Sequence, residues 1–229
     1  QADRYNVPRI CFVNKMDRIG ASLDYTLGTI RERLGAHPIQ MQLPIGSEAG
    51  FKGVVDLMTM QAVYFEDELG KEPKYAPIPE DLHQQAEELR DQMVERIAEL
   101  DDDLTVKYLE GEKISIDELK QALRGAVLNT NATPVFCGSS LRNKGVQLVL
   151  DAIVDYLPSP LDKGAVVGTD IRDSEKTHMR HPTPKDPFTA LAFKLIHDPY
   201  VGQQTFIRIY SGELKSGMLV YNSTKDKEE

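Results

Sequence analysis

The clearest indication of the fold is the segment Arg9-Ile10-Cys11-Phe12-Val13-Asn14-Lys15-Met16-Asp17. Its first five residues form a short, mostly apolar run, which is typical of a buried strand in a parallel sheet. Polar residues follow at once, and the chain then enters a helical pattern that Ser22 caps and Gly35 ends. The order strand, polar turn, helix predicts an α/β fold with this turn at the carboxyl end of a strand.

Asn14, Lys15 and Asp17 are the residues of this turn that carry chemistry. Guanine presents two parallel donors on one edge, and the carboxylate of Asp17 can accept both, whereas adenine offers no such pair. We expect Asn14 to donate to the other edge of the base and to tie the loop together. The aliphatic stem of Lys15 is expected to cover the base plane. The pattern predicts guanine recognition, and the alternative is a solvated turn after a strand.

A second strand–turn–helix unit lies near residue 133. The apolar run 133–137 predicts another buried strand, and Gly138, Ser139 and Ser140 follow it directly. Glycine and serine allow backbone N–H groups to approach the carbonyl oxygen of a base closely. Alone this sequence indicates only a turn, and it gains weight as the partner of the Asn14–Asp17 motif.

Between the two units the sequence predicts an inserted α+β region. Alternating apolar residues at positions 39, 41 and 43 indicate one strand, and the runs 53–57 and 61–65 indicate two more. The stretch 70–79 is rich in Pro and Lys and is predicted to be a loop.

Helical spacing begins at Glu80, with one continuous apolar seam formed by Leu82, Ala86, Leu89, Met93, Ile97 and Leu100. Ser115 and Glu118 have the capping-box spacing that predicts the start of a further helix. On the seam-bearing helix, acidic residues recur every four positions: Glu87, Asp91, Glu95 and Glu99. This acidic row is either a solvated face or a docking face for a basic partner.

After residue 162 the composition changes. The stretch 163–187 is polar and rich in Pro, which predicts a linker or irregular structure. The runs 188–195, 205–210 and 219–221 have strand character. They predict a β-barrel or sandwich of which this chain contains the opening strands.

Composition excludes several classes of function. The 229 residues are 41% hydrophobic, which suffices for a core, but no run approaches the length of a membrane span. The net charge of −9 is unfavourable for binding nucleic acid directly, so we expect no direct DNA binding. Cys11 and Cys137 lie in apolar runs and indicate a reduced, cytoplasmic protein.

At this point the residues resemble a known family. Six segments, in collinear order, are similar to bacterial-type translation elongation factor G: Val13-Asn14-Lys15-Met16-Asp17-Arg18, Gly53-Val54-Val55-Asp56-Leu57, Gly138-Ser139-Ser140-Leu141-Arg142-Asn143-Lys144-Gly145-Val146, Asp155-Tyr156-Leu157-Pro158-Ser159-Pro160, Asp198-Pro199-Tyr200-Val201-Gly202 and Ile209-Tyr210-Ser211-Gly212. One departure is Ser140, where GTPases more often have Ala. Because a backbone N–H is what matters there, Ser140 is expected to serve.

The resemblance implies a partial P-loop-GTPase-like parallel sheet with an inserted α+β subdomain, followed by the start of a β-barrel domain. It implies GTPase-domain segments at 1–44 and 131–162, the inserted subdomain at 45–130, a linker at 163–187 and the second domain at 188–229. It also implies that Asn14, Lys15, Asp17, Gly138, Ser139 and Ser140 read guanine. The inserted subdomain is similar to the one that contacts the ribosomal stalk protein.

The sequence lacks the other half of a GTPase site. It contains no Gly-x-x-x-x-Gly-Lys-[Ser/Thr] run to cradle phosphates and help hold Mg²⁺, and no Asp-x-Pro-Gly pattern preceding a catalytic His. We therefore assign no catalytic or metal-binding residue. The chain is expected to be an interior part of its parent protein, inactive alone and weak in binding GTP or GDP, with Mg²⁺ held by residues outside it.

The resemblance implies that the parent protein is a ribosome-dependent GTPase that moves tRNA and mRNA during elongation. One alternative is another translational GTPase, such as a release or ribosome-protection factor. The long insertion argues against that reading, because those relatives resemble it less. The other alternative is that this chain is an acidic protein-docking module.

Overall fold

A computed structural model describes residues 2–66, 72–171, 173 and 175–229. The chain divides into two compact units, Gln1–Leu157 and Pro158–Glu229. None of the helices in these described ranges combines the length and apolar character that crossing a bilayer requires.

The first unit contains seven strands and five α-helices within its described residues. Its strands are β1 (Cys11–Val13), β2 (Pro38–Gln40), β3 (Gln42–Ile45), β4 (Gly53–Asp56), β5 (Gln61–Tyr64), β6 (Lys74–Ala76) and β7 (Thr133–Cys137). Its α-helices are α1 (Leu23–Leu34), α2 (Glu80–Ala98), α3 (Asp102–Leu109), α4 (Ile116–Leu128) and α5 (Val146–Tyr156).

A parallel sheet of order β1-β7-β2 contains both predicted strand–turn units. β7 is the central strand, fully buried, and Val13 of β1 lies opposite Cys137 of β7. The two strands therefore end side by side at the same edge of the sheet. The predicted mixed α/β fold with a parallel sheet is confirmed.

The helix that follows β1 has the predicted caps. Ser22 Oγ accepts a 3.1 Å hydrogen bond from the backbone N–H of Tyr25, and Gly35 ends the helix with φ of 59°. Such a left-handed cap suits glycine because it has no Cβ. The apolar stripe of α1 buries Leu23, Leu27 and Ile30.

One predicted strand is two strands in the structure. The alternating residues Ile39, Met41 and Leu43 predicted a single strand, but β2 ends at Gln40 and β3 begins at Gln42. Met41 joins the two sheets: its N–H donates to Val135 O at 3.1 Å, and its carbonyl accepts from Leu57 N at 3.0 Å. The chain thereby leaves the parallel sheet and enters an antiparallel one.

The antiparallel sheet has the order β3-β4-β5-β6. β4 and β5 confirm the strands predicted at 53–57 and 61–65. The prediction of a loop at 70–79 is wrong for β6, which pairs with β5 through Tyr75 opposite Val63. Residues 70 and 71 lie outside the described part of the chain. Edge pairing supplies backbone hydrogen bonds that local composition does not reveal.

Helices α2 and α4 pack with both sheets around one large apolar cluster. Ala86, Met93 and Ile97 of the predicted seam are buried in it, while Leu100 lies beyond the end of α2 and is exposed. The capping box of α4 is confirmed: the Ser115 hydroxyl accepts from Glu118 N, and the Glu118 carboxylate accepts from Ser115 N.

The second unit consists of the short helix α6 (Pro160–Lys163) and three two-stranded ribbons: β8 (Val166–Thr169) with β9 (Thr177–Arg180), β10 (Thr189–Asp198) with β11 (Gly202–Ser211), and β12 (Tyr221–Asn222) with β13 (Lys227–Glu228). The prediction of a linker or irregular structure at 163–187 is wrong for β8 and β9, which pair as antiparallel strands. Their backbone hydrogen bonds overcome a polar composition. Strand character is confirmed for the runs 188–195 and 205–210, whereas only Tyr221 of the run 219–221 lies in a strand. The division into domains stays a prediction.

Candidate functional site

The two predicted loops lie side by side at one edge of the parallel sheet. The first loop (14–20) follows β1 and the second loop (138–145) follows β7. Gly138 N donates to Val13 O at 3.0 Å, and Met16 N donates to Gly138 O at 3.0 Å. Parallel pairing thus continues past the strand ends and holds the loops in register.

Asn14 joins the loops through its side chain. Its Oδ1 accepts from Ser140 N at 2.9 Å, from Ser140 Oγ at 3.1 Å and from Lys15 N at 2.8 Å. The sequence predicted Asn14 as a donor to the base and a tie within the loop. The described contacts make its oxygen an acceptor that ties one loop to the other.

Lys15 and Met16 have opposite surroundings. Lys15 is exposed and adopts the left-handed region with φ of 66°, which costs free energy for a residue with a Cβ. Met16 is 3% exposed and packs in a second apolar cluster with Phe51, Val135 and Cys137. Burial of Met16 anchors the motif while Lys15 stays accessible to a ligand.

Asp17 carries the acceptor carboxylate. Its side chain is 17% exposed, and Oδ2 lies 3.8 Å from Arg142 Nε. The pKa of Asp17 is lowered, first by the nearby Ser139 hydroxyl and further by its own backbone and by the charge of Arg142. The carboxylate is therefore ionised at neutral pH and able to accept hydrogen bonds.

Ser139 is buried, with 1% of its surface exposed. Among the described residues its Oγ has no hydrogen bond of ordinary geometry, although the hydroxyl is close enough to Asp17 to lower that residue's pKa. We infer an approach of the two groups that falls short of an ideal hydrogen bond. A buried polar atom without a full partner is a candidate for contact with a ligand.

The second loop is compact and requires glycine at its base. Ser139 and Lys144 pair through both backbone groups, at 2.9 and 3.0 Å. A Cβ at Gly138 would lie 2.3 Å from Lys144 O and 2.8 Å from the ring of Phe12. Burial raises the pKa of the Cys137 thiol, which stays protonated and serves the core.

Together the loops offer an ionised carboxylate, a buried hydroxyl and backbone amides at one sheet edge. This set complements a planar base that has adjacent donors on one side and a carbonyl acceptor on another. Residues 1–159 match the protein family described as the elongation factor Tu GTP binding domain. The chain belongs to this family. Guanine nucleotide binding and a role in translation are properties of the elongation factor Tu GTP binding domain family.

A solved structure extends the likeness over nearly the whole chain. The crystal structure of a protein from Thermus thermophilus superimposes on this chain with a TM-score of 0.73. The two sequences are 29% identical, and the match covers 96% of this chain. The chain spans 30% of the length of that Thermus chain.

The structure brings Asn14, Asp17 and the second-loop residues together and leaves Lys15 exposed next to them. The acidic row lies elsewhere: Glu87, Asp91 and Glu95 are exposed on α2, and Glu99 is exposed directly after the end of that helix. Within the described ranges, Asp91, Glu95 and Glu99 form no ion pair with Lys or Arg, and Glu87 lies 3.4 Å from His83 Nδ1.

Sequence reasoning missed a buried polar residue that contacts the strand end before the second loop. Gln42 is 1% exposed, and its Oε1 accepts a 2.9 Å hydrogen bond from Cys137 N, directly before the second loop. It sits between Met41 and Leu43, where period-2 alternation predicts a solvent-facing position. A polar residue inside an apolar run was the only available signal, and it is weak.

Proposed function

We propose that the two loops form the guanine-reading half of a translational GTPase site. Asp17 accepts from the two donors on one base edge, and the amides of the second loop contact the carbonyl oxygen. The observation that carries the proposal is the ionised Asp17 carboxylate next to the buried Ser139 hydroxyl, in loops that Asn14 joins. Lys15 covers one face of the base.

Discrimination against adenine follows from this donor pattern. Adenine presents no adjacent pair of donors to Asp17, so the carboxylate would lose water without gaining hydrogen bonds. A site built around polar groups rejects such a base by about 10⁴-fold. Family membership supports guanine nucleotide as the ligand.

We further propose that the parent protein is an elongation factor G-type, ribosome-dependent GTPase that promotes movement of tRNA and mRNA. The six collinear segments in the sequence and the match to the elongation factor Tu GTP binding domain family support this. A release or ribosome-protection factor is the second candidate within the class. Two free cysteines, Cys11 and Cys137, fit action in the reducing cytoplasm.

The chain itself supplies base contacts and no phosphate cradle. Its sequence has no Gly-rich phosphate-binding run, so residues outside it would hold the phosphates and Mg²⁺. A few hydrogen bonds of about 0.5–1.5 kcal/mol each scarcely exceed the cost of association. Weak binding and no hydrolysis are therefore expected of this chain.

Nuclear magnetic resonance suits such weak binding. We would titrate the labelled chain with guanosine monophosphate and, separately, adenosine monophosphate at millimolar concentration. The amides of Lys15, Asp17, Ser139 and Ser140 should shift with the guanosine nucleotide and not with the adenosine nucleotide. Equal shifts with both nucleotides, or none with either, would contradict guanine recognition.

A matched pair of aspartates controls this titration. Asp17→Ala should abolish the guanosine-specific shifts because it removes the acceptor of both base donors. Asp151→Ala removes an exposed carboxylate of α5 and should leave them unchanged. Loss of the shifts in both variants would indicate a general charge effect rather than a base contact.

A second proposed activity is docking of a basic partner on the acidic row. Glu87, Asp91 and Glu95 are exposed on α2 and Glu99 is exposed directly after its last residue. Like charges at this spacing destabilise a helix. By resemblance, the partner is the Lys-rich C-terminal domain of the ribosomal stalk protein. Such a contact would weaken as salt increases.

Calorimetric titration with that domain, at low and moderate salt, tests the docking proposal. Binding should be salt-sensitive and should vanish in a Glu87/Asp91/Glu95→Ala variant. A control with the same charge change, Glu110/Glu112/Asp151→Ala, removes three exposed carboxylates outside α2 and should bind normally. Equal loss of binding in both variants, or no binding at either salt, would contradict docking and indicate that the acidic row is a solvated surface.

A further inference from the structure

A turn of the antiparallel sheet contacts both candidate guanine-reading loops. This bridging turn (46–51) connects β3 to β4 and contains a short 3₁₀ helix, Glu48–Gly50. It belongs to the region that the sequence assigns to the inserted subdomain. No motif in the sequence marks it as part of a nucleotide site.

The first contact is to the loop that carries the Asn-Lys-x-Asp motif. Glu48 Oε1 accepts a 3.0 Å hydrogen bond from the backbone N–H of Gly20. Gly20 ends the same loop that holds Asp17 and has φ of 78°. A charged acceptor makes a stronger hydrogen bond than a neutral one, so Glu48 restrains this end of the loop.

The second contact is to the other loop. Lys144 Nζ donates a 2.7 Å hydrogen bond to Phe51 O. Lys144 is also the residue whose backbone pairs with Ser139. The bridging turn therefore holds the position of Ser139 through a single intervening residue.

The turn is rigid enough to position its neighbours. Gly50 N donates to Ser47 O at 2.9 Å, Phe51 N to Glu48 O at 3.0 Å, and Lys52 N to Ile45 O at 2.9 Å. The Phe51 side chain is 2% exposed and shares an apolar cluster with Met16 of the motif. The turn is thus fixed internally, at its ends and to the core.

Backbone geometry points to a specific role for the turn. Glu48 is a non-glycine residue in the left-handed region, with φ of 51°, which costs of order 1 kcal/mol. At Gly46, φ is 78° and a Cβ would lie 2.2 Å from Gly50 O. Strain of this kind persists where the surrounding contacts require it, and here those contacts lead to both loops.

We propose that the bridging turn sets the spacing of the two loops, with Glu48 and Lys144 as positioning residues for guanine recognition. The inference rests on the proposed function. Neither side chain is assigned a contact with the base. Each acts through a backbone group: Glu48 through Gly20, and Lys144 through its links to Phe51 and Ser139.

Loop order in the nucleotide-free chain tests the positioning directly. In Glu48→Ala, the amide order parameter of Gly20 should fall from about 0.85, a rigid value, to below about 0.6. In Lys144→Met, which keeps the aliphatic stem, the same fall should occur at Ser139 and Ser140. Unchanged order parameters in both variants would overturn the proposal, whether or not the chain binds nucleotide.

Nucleotide titration supplies the functional readout. We expect Glu48→Ala and Lys144→Met to raise the dissociation constant for guanosine monophosphate about tenfold, because small displacements of contact groups reduce recognition strongly. The chain should stay folded, with only a small fall in the midpoint of urea unfolding, because each variant loses a single side-chain hydrogen bond. Glu48→Gln keeps an oxygen acceptor and should recover most of the affinity and the order of Gly20.

Matched controls separate positioning from charge. Glu32→Ala removes an exposed carboxylate from α1, and Lys52→Met removes the exposed cation adjacent to Phe51; both should bind as the unmodified chain does. Base-selective binding that is unaffected by Glu48→Ala and Lys144→Met would overturn the positioning role alone. Absence of base selectivity in the unmodified chain would overturn the proposed function, and the order parameters would still decide the positioning.

Discussion

Asn14 Oδ1 accepts a 2.9 Å hydrogen bond from the backbone N–H of Ser140, across 126 residues of sequence. The two residues follow the neighbouring parallel strands β1 and β7, so the bond joins two loops that are distant in sequence. The integrity of the site therefore depends on a small number of bonds between the loops.

Replacing Asn14 tests this dependence. Asn14→Ala removes the acceptor from Ser140 N and should mobilise residues 139–141, at a cost of about 1 kcal/mol because the site is exposed. Asn14→Asp keeps a carboxyl oxygen in the same place and should preserve loop order. Amide relaxation at Ser140 measures both. Equal order in the alanine and aspartate variants would show that the bond does not hold the loops together.

Gly138 is predicted to tolerate no side chain. Gly138→Ala would place a Cβ against Lys144 O and the Phe12 ring and should destabilise the first unit by about 1–3 kcal/mol. Gly28→Ala is the matched control, since it lies in α1 with nothing within 4 Å and should stabilise by up to about 1 kcal/mol. Urea unfolding, followed through amide resonances of the first unit, separates the two. A neutral Gly138→Ala would contradict the close packing.

The capping box of α4 makes a stability prediction away from the site. Ser115→Ala removes the acceptor for Glu118 N and should lower the free energy of unfolding of the first unit by about 1 kcal/mol. Ser159→Ala removes the same motif from the short helix α6 in the second unit. It should leave the first-unit transition unchanged. Equal effects of the two substitutions would mean that the cap does not act locally.

Glu118 also predicts a pH dependence. Its pKa is lowered from 4.5 to about 2, first by the hydrogen bond from Lys107 and then by those from the Ser115 N–H and hydroxyl. A carboxyl with a lowered folded-state pKa stabilises the fold above its unfolded pKa and loses that contribution as pH falls. The difference in unfolding free energy between the unmodified chain and Glu118→Gln should shrink as pH falls from 4.5 toward 2. A difference independent of pH would contradict this origin.

The sequence pattern predicted those strands, loops and helix ends that depend on residues close together in the chain. The run that includes Cys11 and the motif that begins at Asn14 gave the strand and its loop, and Ser22 with Gly35 gave the ends of α1. Each depends on residues that are close together in sequence. The capping box at Ser115 was predictable for the same reason.

The features that the sequence pattern did not predict depend on contacts between residues that are distant in sequence. Gln42 is buried because the chain crosses between sheets at Met41, and period-2 alternation carries no sign of such a crossing. β6 forms because an edge is available on β5, and the contact of Glu48 with Gly20 joins residues 28 apart. Such features depend on which elements meet in the folded chain.

Asp17 is proposed to read the base, and exchanging the base changes the groups that its side chain would meet. Asparagine at this position offers one acceptor and one donor, which suits xanthine, where an oxygen replaces the exocyclic amine of guanine. Titration of Asp17→Asn with guanosine and xanthosine monophosphates, followed by amide shifts of Lys15, Ser139 and Ser140, compares the two bases in one protein. We predict that the guanosine-dependent shifts disappear and that xanthosine-dependent shifts appear at the same amides. Retention of guanosine binding with no response to xanthosine would contradict the assignment of Asp17 as the base-reading residue.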